Sequence, residues 1–455
     1  MTRIFGRYVP VEMAVLAMLE ALLCFGALYG TLLATSTRHF AIGAIDIGLA
    51  NRAALLAATI GICAVAIGLY RPEICLDRRR LVLDAAVAAI LAFPAALLVS
   101  GRFGDGLTRT YAIALVKVLF IWLAFAVTIR AFASTARRHY LFRRRILFVG
   151  AGAADLADSD ALQSGRGRLY ESAGIATGPS EISNLTPAFL REHRIWGLVV
   201  AGPAGGAAVP VDHQQLIDCR LRGIRIYDEA SFWEQHLGRV NLDCLNFNWF
   251  VRGDGFSYGR LSLVIKRLID IIVSLILLGL TFPLMLGTAI LIKLDSPGSI
   301  LYRQQRVGLR GKIFTLYKFR SMREDAEAEG QPQWAEKRDS RVTRVGAFIR
   351  QTRVDELPQL LNVLRGEMSL IGPRPERPHF VEQLSVVLPF YNERAYVKPG
   401  VTGWAQVNYP YGASVADARE KLSYDLYYVK NRSTALDLTI LTATVRVILF
   451  REGAR

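Results

Sequence analysis

Residues 353–375 read RVDELPQLLNVLRGEMSLIGPRP. Two adjacent carboxylates, Asp355 and Glu356, lie among Arg350, Arg353, Arg365 and Arg374 in an otherwise largely apolar stretch that closes on Gly-Pro-Arg-Pro. Acids just ahead of Pro358 suit a helix start, where they meet the positive end of the dipole and proline fits the first turn. That explains the acids but not the arginines. Upstream, LYKFRSM (316–322) supplies Lys318 and Arg320, and RDSRVTRVGAFIRQTRVDELPQL adds Arg341 and Arg344. Arginine matches phosphate oxygens bidentately, and a hard divalent cation bridges carboxylate to diphosphate. Fixed cations around one acidic pair therefore suit a phosphate-rich ligand, and both readings of the pair, helix start and chemistry, stay open. Downstream, VKPGVTGWAQVNYPYGAS (397–414) is a Gly-rich aromatic loop. It offers Lys398, Thr402, Gly403, Trp404 and Gln406 as a candidate nucleotide loop. The apolar positions of LPQLLNVLRGEM have the spacing of a helix packed by one face.

The elements that must carry these residues belong to a 455-residue chain that is 52% hydrophobic, with a formal net charge of +16. Such a surplus suits lipid headgroups or a phosphorylated substrate, and the membrane context argues against a nucleic-acid partner. Four apolar segments, at 11–35, 53–70, 81–100 and 111–133, approach the ~20 residues that cross a ~30 Å hydrocarbon core. The first is too long for a cleaved signal core. Lys117 is the charge furthest inside a segment, a snorkelling or helix-contact residue. RPEICLDRRR follows the second segment and ARRHYLFRRR the fourth, so the positive-inside rule places the N-terminus, the middle loop and everything after residue 135 in the cytoplasm. The five scattered cysteines form no CxxC pair, which argues against a disulfide framework or zinc site.

ILFVGAGAAD (146–155), GLVVAGP (197–203) and IRIYDEA alternate with a helical stretch, which predicts a Rossmann-like parallel sheet over 143–245. Gly150-Ala151-Gly152 is a partial dinucleotide fingerprint, with Asp155 where the third small residue belongs. A structural or regulatory sheet is the favoured reading. Residues 246–265 read as a packed connector. A fifth apolar helix follows at about 268–293, with Pro283 near its middle and basic residues on both flanks. It either spans the bilayer or, kinked at the proline, enters and leaves by one face.

KRLID, LYKFRSM, RVDELPQLLNVLRGEMSLIGPRPERP, VKPGVTGWAQV and YDLYYVKN, in this order, resemble the bacterial sugar transferase family, the monotopic polyprenyl-phosphate hexose-1-phosphate transferases. With the preceding segments the chain is similar to the family's large members: four transmembrane helices (1–142), a Rossmann-like domain, and a mainly α catalytic domain (266–455) with a re-entrant helix. The YPYGAS loop and the REGAR ending further resemble the branch associated with PEP-CTERM and exosortase loci. The resemblance implies an inner-membrane enzyme that transfers hexose-1-phosphate from a UDP-sugar to undecaprenyl phosphate, with release of UMP, at the start of exopolysaccharide assembly. It implies Asp355 as nucleophile, Glu356 as its partner in holding Mg²⁺, and Lys318, Arg350 and Arg374 at phosphate. It also implies a homodimer through the N-terminal and middle domains. The departures are Phe282-Pro283 for Ser-Pro, Glu367 for the usual aspartate, and Asp339-Ser340-Arg341 for Asp-Pro-Arg.

Overall fold

A short antiparallel pair, Thr2–Ile4 with Arg7–Val9, precedes four helices: α1 (Val11–Thr35), α2 (Ile47–Ile67), α3 (Arg78–Gly101) and α4 (Arg109–Arg138). The computed structural model describes the chain except residues 1, 5–6, 10, 36–46, 68, 71–77, 102–108, 139–143, 160–161, 163–169, 178–180, 182–184, 203–212, 246–248, 251–254, 257–258, 324–340, 410–411, 413 and 450–455. Outside the described residues therefore lie most of the first basic loop and half of the second, part of the connector, Asp339-Ser340, half of YPYGAS and the REGAR ending. The four expected segments are helices, and α1, α2 and α4 are long and apolar enough to cross a membrane. The apolar part of α3, Leu81–Leu97, is shorter. Small side chains let these helices approach closely, as lipid-embedded packing favours. Ala85, Ala88, Ala92 and Ala96 form one buried stripe on α3, and Ala53, Ala57 and Ala64 another on α2. Lys117 lies on the exposed face of α4.

Buried ionisable side chains of this bundle include Asp84 on α3 and an ion pair between α1 and α4. Arg130 pairs with Glu20 and donates to the carbonyls of Leu69 and Ala126 at 3.3 and 3.1 Å. Tyr70 donates its hydroxyl to the same Glu20 at 2.9 Å. Removing one partner strands a buried charge, whereas removing both does not. Arg130→Met should therefore cost about 3 kcal/mol, and Glu20→Gln/Arg130→Met distinctly less. Thermal midpoints of the detergent-solubilised full chain test this, and a double variant less stable than Arg130→Met would contradict it.

The expected parallel sheet is present. Strands β1 (Arg144–Val149), β2 (Tyr170–Ala176), β3 (Ile195–Val200) and β4 (Arg225–Asp228) take the order β2-β1-β3-β4, all parallel. Helices α5 (Ala153–Ala157), α6 (Pro187–Glu192) and α7 (His213–Leu221) lie between them. A Cβ at Gly152 would collide with the Gly202 carbonyl, so the partial fingerprint turn closes on the neighbouring strand end. α5 is only five residues long and has no side-chain cap.

The chain divides at Glu229/Ala230. Residues 230–245, expected to close the sheet domain, instead pack within the second unit: Trp404 donates to the Gly238 carbonyl at 2.7 Å, and Val240 and Leu242 join that unit's core. Apolar side chains in this segment find their burial there. The second unit begins with α8 (Arg260–Asp295), which is helical across Pro283. A hairpin follows, β5 (Leu301–Val307) antiparallel to β6 (Ile313–Phe319). Then come α9 (Arg344–Gln351), α10 (Gln359–Arg365), β7 (Ser369–Ile371) and α11 (Pro378–Val387). β8 (Gly400–Thr402), parallel to β7, precedes α12 (Trp404–Asn408), α13 (Val415–Asn431) and α14 (Thr434–Leu449). The unit is mainly α, as expected.

Both ends of α8 are fastened to this unit. Near its start, Asp270 accepts from the Leu370 amide at 3.2 Å, and Arg267 donates to the Val363 and Leu364 carbonyls at 2.6 and 2.7 Å. At its end, Asp295 accepts from the Val345 amide at 3.1 Å, and Ile292 packs with Phe319, Ile349 and Val354. Between these anchors, Leu275, Ile276, Leu280, Phe282, Leu284 and Leu286 are exposed.

Candidate active site

The acidic pair sits on a turn. α9 ends at Gln351, and Arg353 then takes a left-handed conformation (φ 60°, ψ 14°). For a side chain other than glycine this costs ~1–2 kcal/mol. The reversal starts a 3₁₀ turn, Val354–Glu356, with Pro358 directly ahead of α10. Both carboxylates are thereby buried. The helix-start reading is thus partly right, because the pair precedes a helix, but the acids face inward.

Glu356 is surrounded by cations. Its Oε1 accepts from Arg374 at 3.0 Å and lies 3.5 Å from both Lys318 Nζ and Arg353 Nη1. Burial alone would raise its pKa, but Arg374, Lys318 and Arg353 outweigh that and hold it well below the usual range. Asp355 differs: its buried Oδ1 has no hydrogen-bond partner. Burial, reinforced by the neighbouring Glu356 charge, pushes its carboxyl up to about 6, with Lys318, Arg353 and Arg374 opposing. Two neighbouring carboxylates driven apart in this way give one fixed anion and one poised group. Burial also lowers the Lys318 pKa, against the pull of Glu356.

Each cation has a rigid mount. Lys318 stands on β6, opposite Tyr302 of β5. Arg374 follows Gly372-Pro373; Gly372 donates to the Thr402 carbonyl at 2.9 Å, and Arg394 donates to the Arg374 carbonyl at 2.9 Å. A Cβ at Gly403 would overlap the Gly372 carbonyl, so glycine is required there. Asn362 locks α10 to β6. Its Nδ2 donates to the Thr315 carbonyl and to Glu367 Oε2, both at 2.7 Å, and its Oδ1 accepts from the Tyr317 amide at 3.2 Å. Glu367, the residue that departs from the family pattern, thus completes this lock. Asn362→Leu should leave several of these groups unpaired and cost about 2 kcal/mol. A lowered melting midpoint together with reduced turnover is expected, and an unchanged midpoint would contradict it.

Of the expected phosphate ligands, Lys318 and Arg374 meet at Glu356. Arg350 is half-buried on α9 and touches neither carboxylate. Arg320 is buried elsewhere, donating to the carbonyl and hydroxyl of Ser296 at 2.7 and 2.9 Å beyond α8. The expected nucleotide loop does not gather as a set. Thr402 bonds Thr444 at 2.7 Å, Trp404 is buried against Tyr427, and Gln406 donates to the Val401 carbonyl at 3.2 Å. Lys398 stands beside Gly366 and Arg267, at the far end of α10 from the pair. Arg353 and Asn362 were not singled out as site residues. The available signals were the i,i+3 spacing of Arg353 to Glu356 and a polar residue on the apolar face of LPQLLNVL.

Among the described residues no cluster of three or more His, Cys, Asp or Glu could hold a metal. Mg²⁺ usually takes one or two carboxylates and draws its remaining ligands from water and substrate phosphate. The unpartnered Oδ1 of Asp355 beside Glu356 is such a donor set.

A family model described as bacterial sugar transferase matches residues 261–451. The chain is 46% identical over 240 residues to a UDP-N-acetylgalactosamine-undecaprenyl-phosphate N-acetylgalactosaminephosphotransferase of Aeromonas hydrophila, covering 53% of this chain and 56% of the relative. It is 41% identical over 206 residues to a UDP-glucose:undecaprenyl-phosphate glucose-1-phosphate transferase of Xanthomonas campestris pv. campestris, covering 45% and 43%. The match thus spans about half the length of these two relatives. It is also 45% identical over 194 residues to the exopolysaccharide production protein PSS of Rhizobium leguminosarum bv. phaseoli, covering 41% of this chain and 95% of that protein. With the dyad, its cations and these matches in one segment, the chain belongs to the bacterial sugar transferase family.

Proposed function

We propose that the protein transfers a hexose-1-phosphate from a UDP-sugar to undecaprenyl phosphate, as the first step of exopolysaccharide repeat-unit assembly. The observation that carries this reading is the contrast within the dyad: Glu356 held by three cations, Asp355 with a buried oxygen that no donor engages. An Asp355 oxygen attacks the sugar-proximal phosphorus, the phosphorus–oxygen bond to UMP breaks, and UMP leaves. An oxygen of the lipid phosphate then attacks the same phosphorus, and the bond to Asp355 breaks. A carboxylate nucleophile divides one difficult transfer into two. Arg374, Lys318 and Arg353 supply donors for the phosphate oxygens, where positioning and charge neutralisation dominate. Mg²⁺ held by Asp355 and Glu356 would neutralise the diphosphate.

α8 fits a re-entrant helix. Its two ends bind the same unit, and the exposed leucines and isoleucines between them suit hydrocarbon. This topology puts the dyad at the cytoplasmic surface of the inner membrane, within reach of a lipid phosphate and a soluble nucleotide. A homodimer through the N-terminal and middle domains completes the reading. Relatives named for N-acetylgalactosamine and for glucose leave the hexose to be identified by assay. The test is nucleotide release from a panel of UDP-sugars with undecaprenyl phosphate in membranes. UMP is expected. UDP would indicate an ordinary glycosyltransferase. Unchanged polymer production by an Asp355→Ala/Glu356→Ala strain would indicate a non-catalytic scaffold.

A further inference from the structure

The parallel sheet has a strongly basic edge that the proposed reaction does not use. Strands of a parallel sheet all start at one edge, and the helices between them return to it. Here β1 starts with Arg144 and Arg145, α6 delivers Arg191 and Arg194 to the start of β3, and α7 delivers Arg220 and Arg222 to the start of β4. Arg225 opens β4 itself. Glu171 lies opposite Arg145 across the β1–β2 pair, and Glu192 and Asp218 are the acids next to the helix-borne arginines in the chain. The cations are fixed in place. Arg144 and Arg225 each lie 4.8 Å from the ring centre of Trp196, Arg145 donates to the His193 carbonyl at 2.7 Å, and Arg191 donates to the Arg222 carbonyl at 3.1 Å. Between Arg220 and Arg222, Leu221 is 79% exposed. The opposite edge, where the strands end, carries Asp228 and Glu229.

Chain connectivity fixes which edge approaches the bilayer. Five residues separate Arg138, the last of α4, from Arg144, and the six extended steps between them span at most about 20 Å. We infer that the strand-start edge of this sheet is a membrane-surface contact that binds anionic lipid headgroups, with Leu221 reaching into the headgroup layer. This rests on α4 spanning the membrane, not on the reaction proposed above. Basic groups near an anionic surface are attracted strongly, and the attraction decays within a Debye length.

The test places a photoreactive benzophenone residue at position 221, or at exposed position 151 on the opposite edge, in the full chain. Each form is reconstituted in nanodiscs of about one part phosphatidylglycerol to nine parts phosphatidylcholine, an anionic share low enough for headgroup attraction to show as enrichment, and the lipid adducts are read by mass spectrometry. Adducts are expected at 221 and not at 151. They should be enriched in phosphatidylglycerol about fivefold over its share of the disc, and Arg220→Gln/Arg222→Gln/Arg225→Gln should abolish the enrichment. No adduct at 221, equal adducts at both positions, or adducts that mirror the disc composition would each overturn the inference.

Discussion

Asp355→Asn should abolish UMP release while leaving the protein at least as stable as before. The substitution keeps shape and volume and removes the charge of the oxygen proposed to attack. Loss of a nucleophile from a two-step mechanism should lower turnover by about 10³-fold or more. Stability should move the other way. Oδ1 of Asp355 is buried without a donor, and burial raises its pKa to about 6, so the ionised form is held at a cost that the amide does not carry. Functional groups kept in unfavourable surroundings show this trade between stability and activity. Three measurements belong together: nucleotide release, the melting midpoint, and a search for a phosphosugar adduct on Asp355 in the parent enzyme. Full turnover by Asp355→Asn would exclude the covalent route, and a lowered midpoint would assign Asp355 a structural role.

Glu356→Gln should lose both activity and stability. Glu356 balances Arg374, Lys318 and Arg353 at 3.0–3.5 Å. Without its charge, three cations face one another across a buried site. Breaking a fully buried ion pair costs ~3–5 kcal/mol, but the Arg374 and Arg353 side chains are 30% and 33% exposed, and solvent screening reduces the figure to about 2–3 kcal/mol. For a unit of this size the midpoint should fall by about 5 °C or more. Neighbouring carboxylates would then give stability changes of opposite sign, a result that a simple acidic helix start does not predict. Equal changes for both substitutions would remove the distinction between fixed anion and nucleophile. Because the two residues touch the same cations, their effects should not add.

The parts of this architecture that depend on length and side-chain type could be read before any coordinates. The four N-terminal helices follow from apolar runs, the parallel sheet from buried strands alternating with helices, and the Lys318–Glu356–Arg374 contact from cations and acids converging on one motif. The parts that depend on backbone direction could not. Nothing local marks Arg353 for a left-handed conformation, since an arginine there is as compatible with a continuing helix. Arg320, two residues from Lys318 and just past the end of β6, turns to Ser296, and Arg350, three residues before Arg353, stays on α9. Trp404 belongs to the candidate nucleotide loop by sequence, but it is buried with its indole nitrogen satisfied by Gly238. That partner is 166 residues away, and no spacing rule reaches so far. The same long-range packing moved 230–245 into the second unit.

The paired anchorage of α8 has a further consequence under the proposed re-entrant topology. A helix that crosses a bilayer adjusts its tilt to the thickness it meets. This one is clamped at Asp270 and Asp295 to the scaffold that carries the dyad. The immersion depth of the hydrophobic wedge is then set by the protein's own dimensions and not by the opposing leaflet. The height of Asp355 above the acyl chains becomes an intrinsic constant of the molecule, the same in thin and thick membranes.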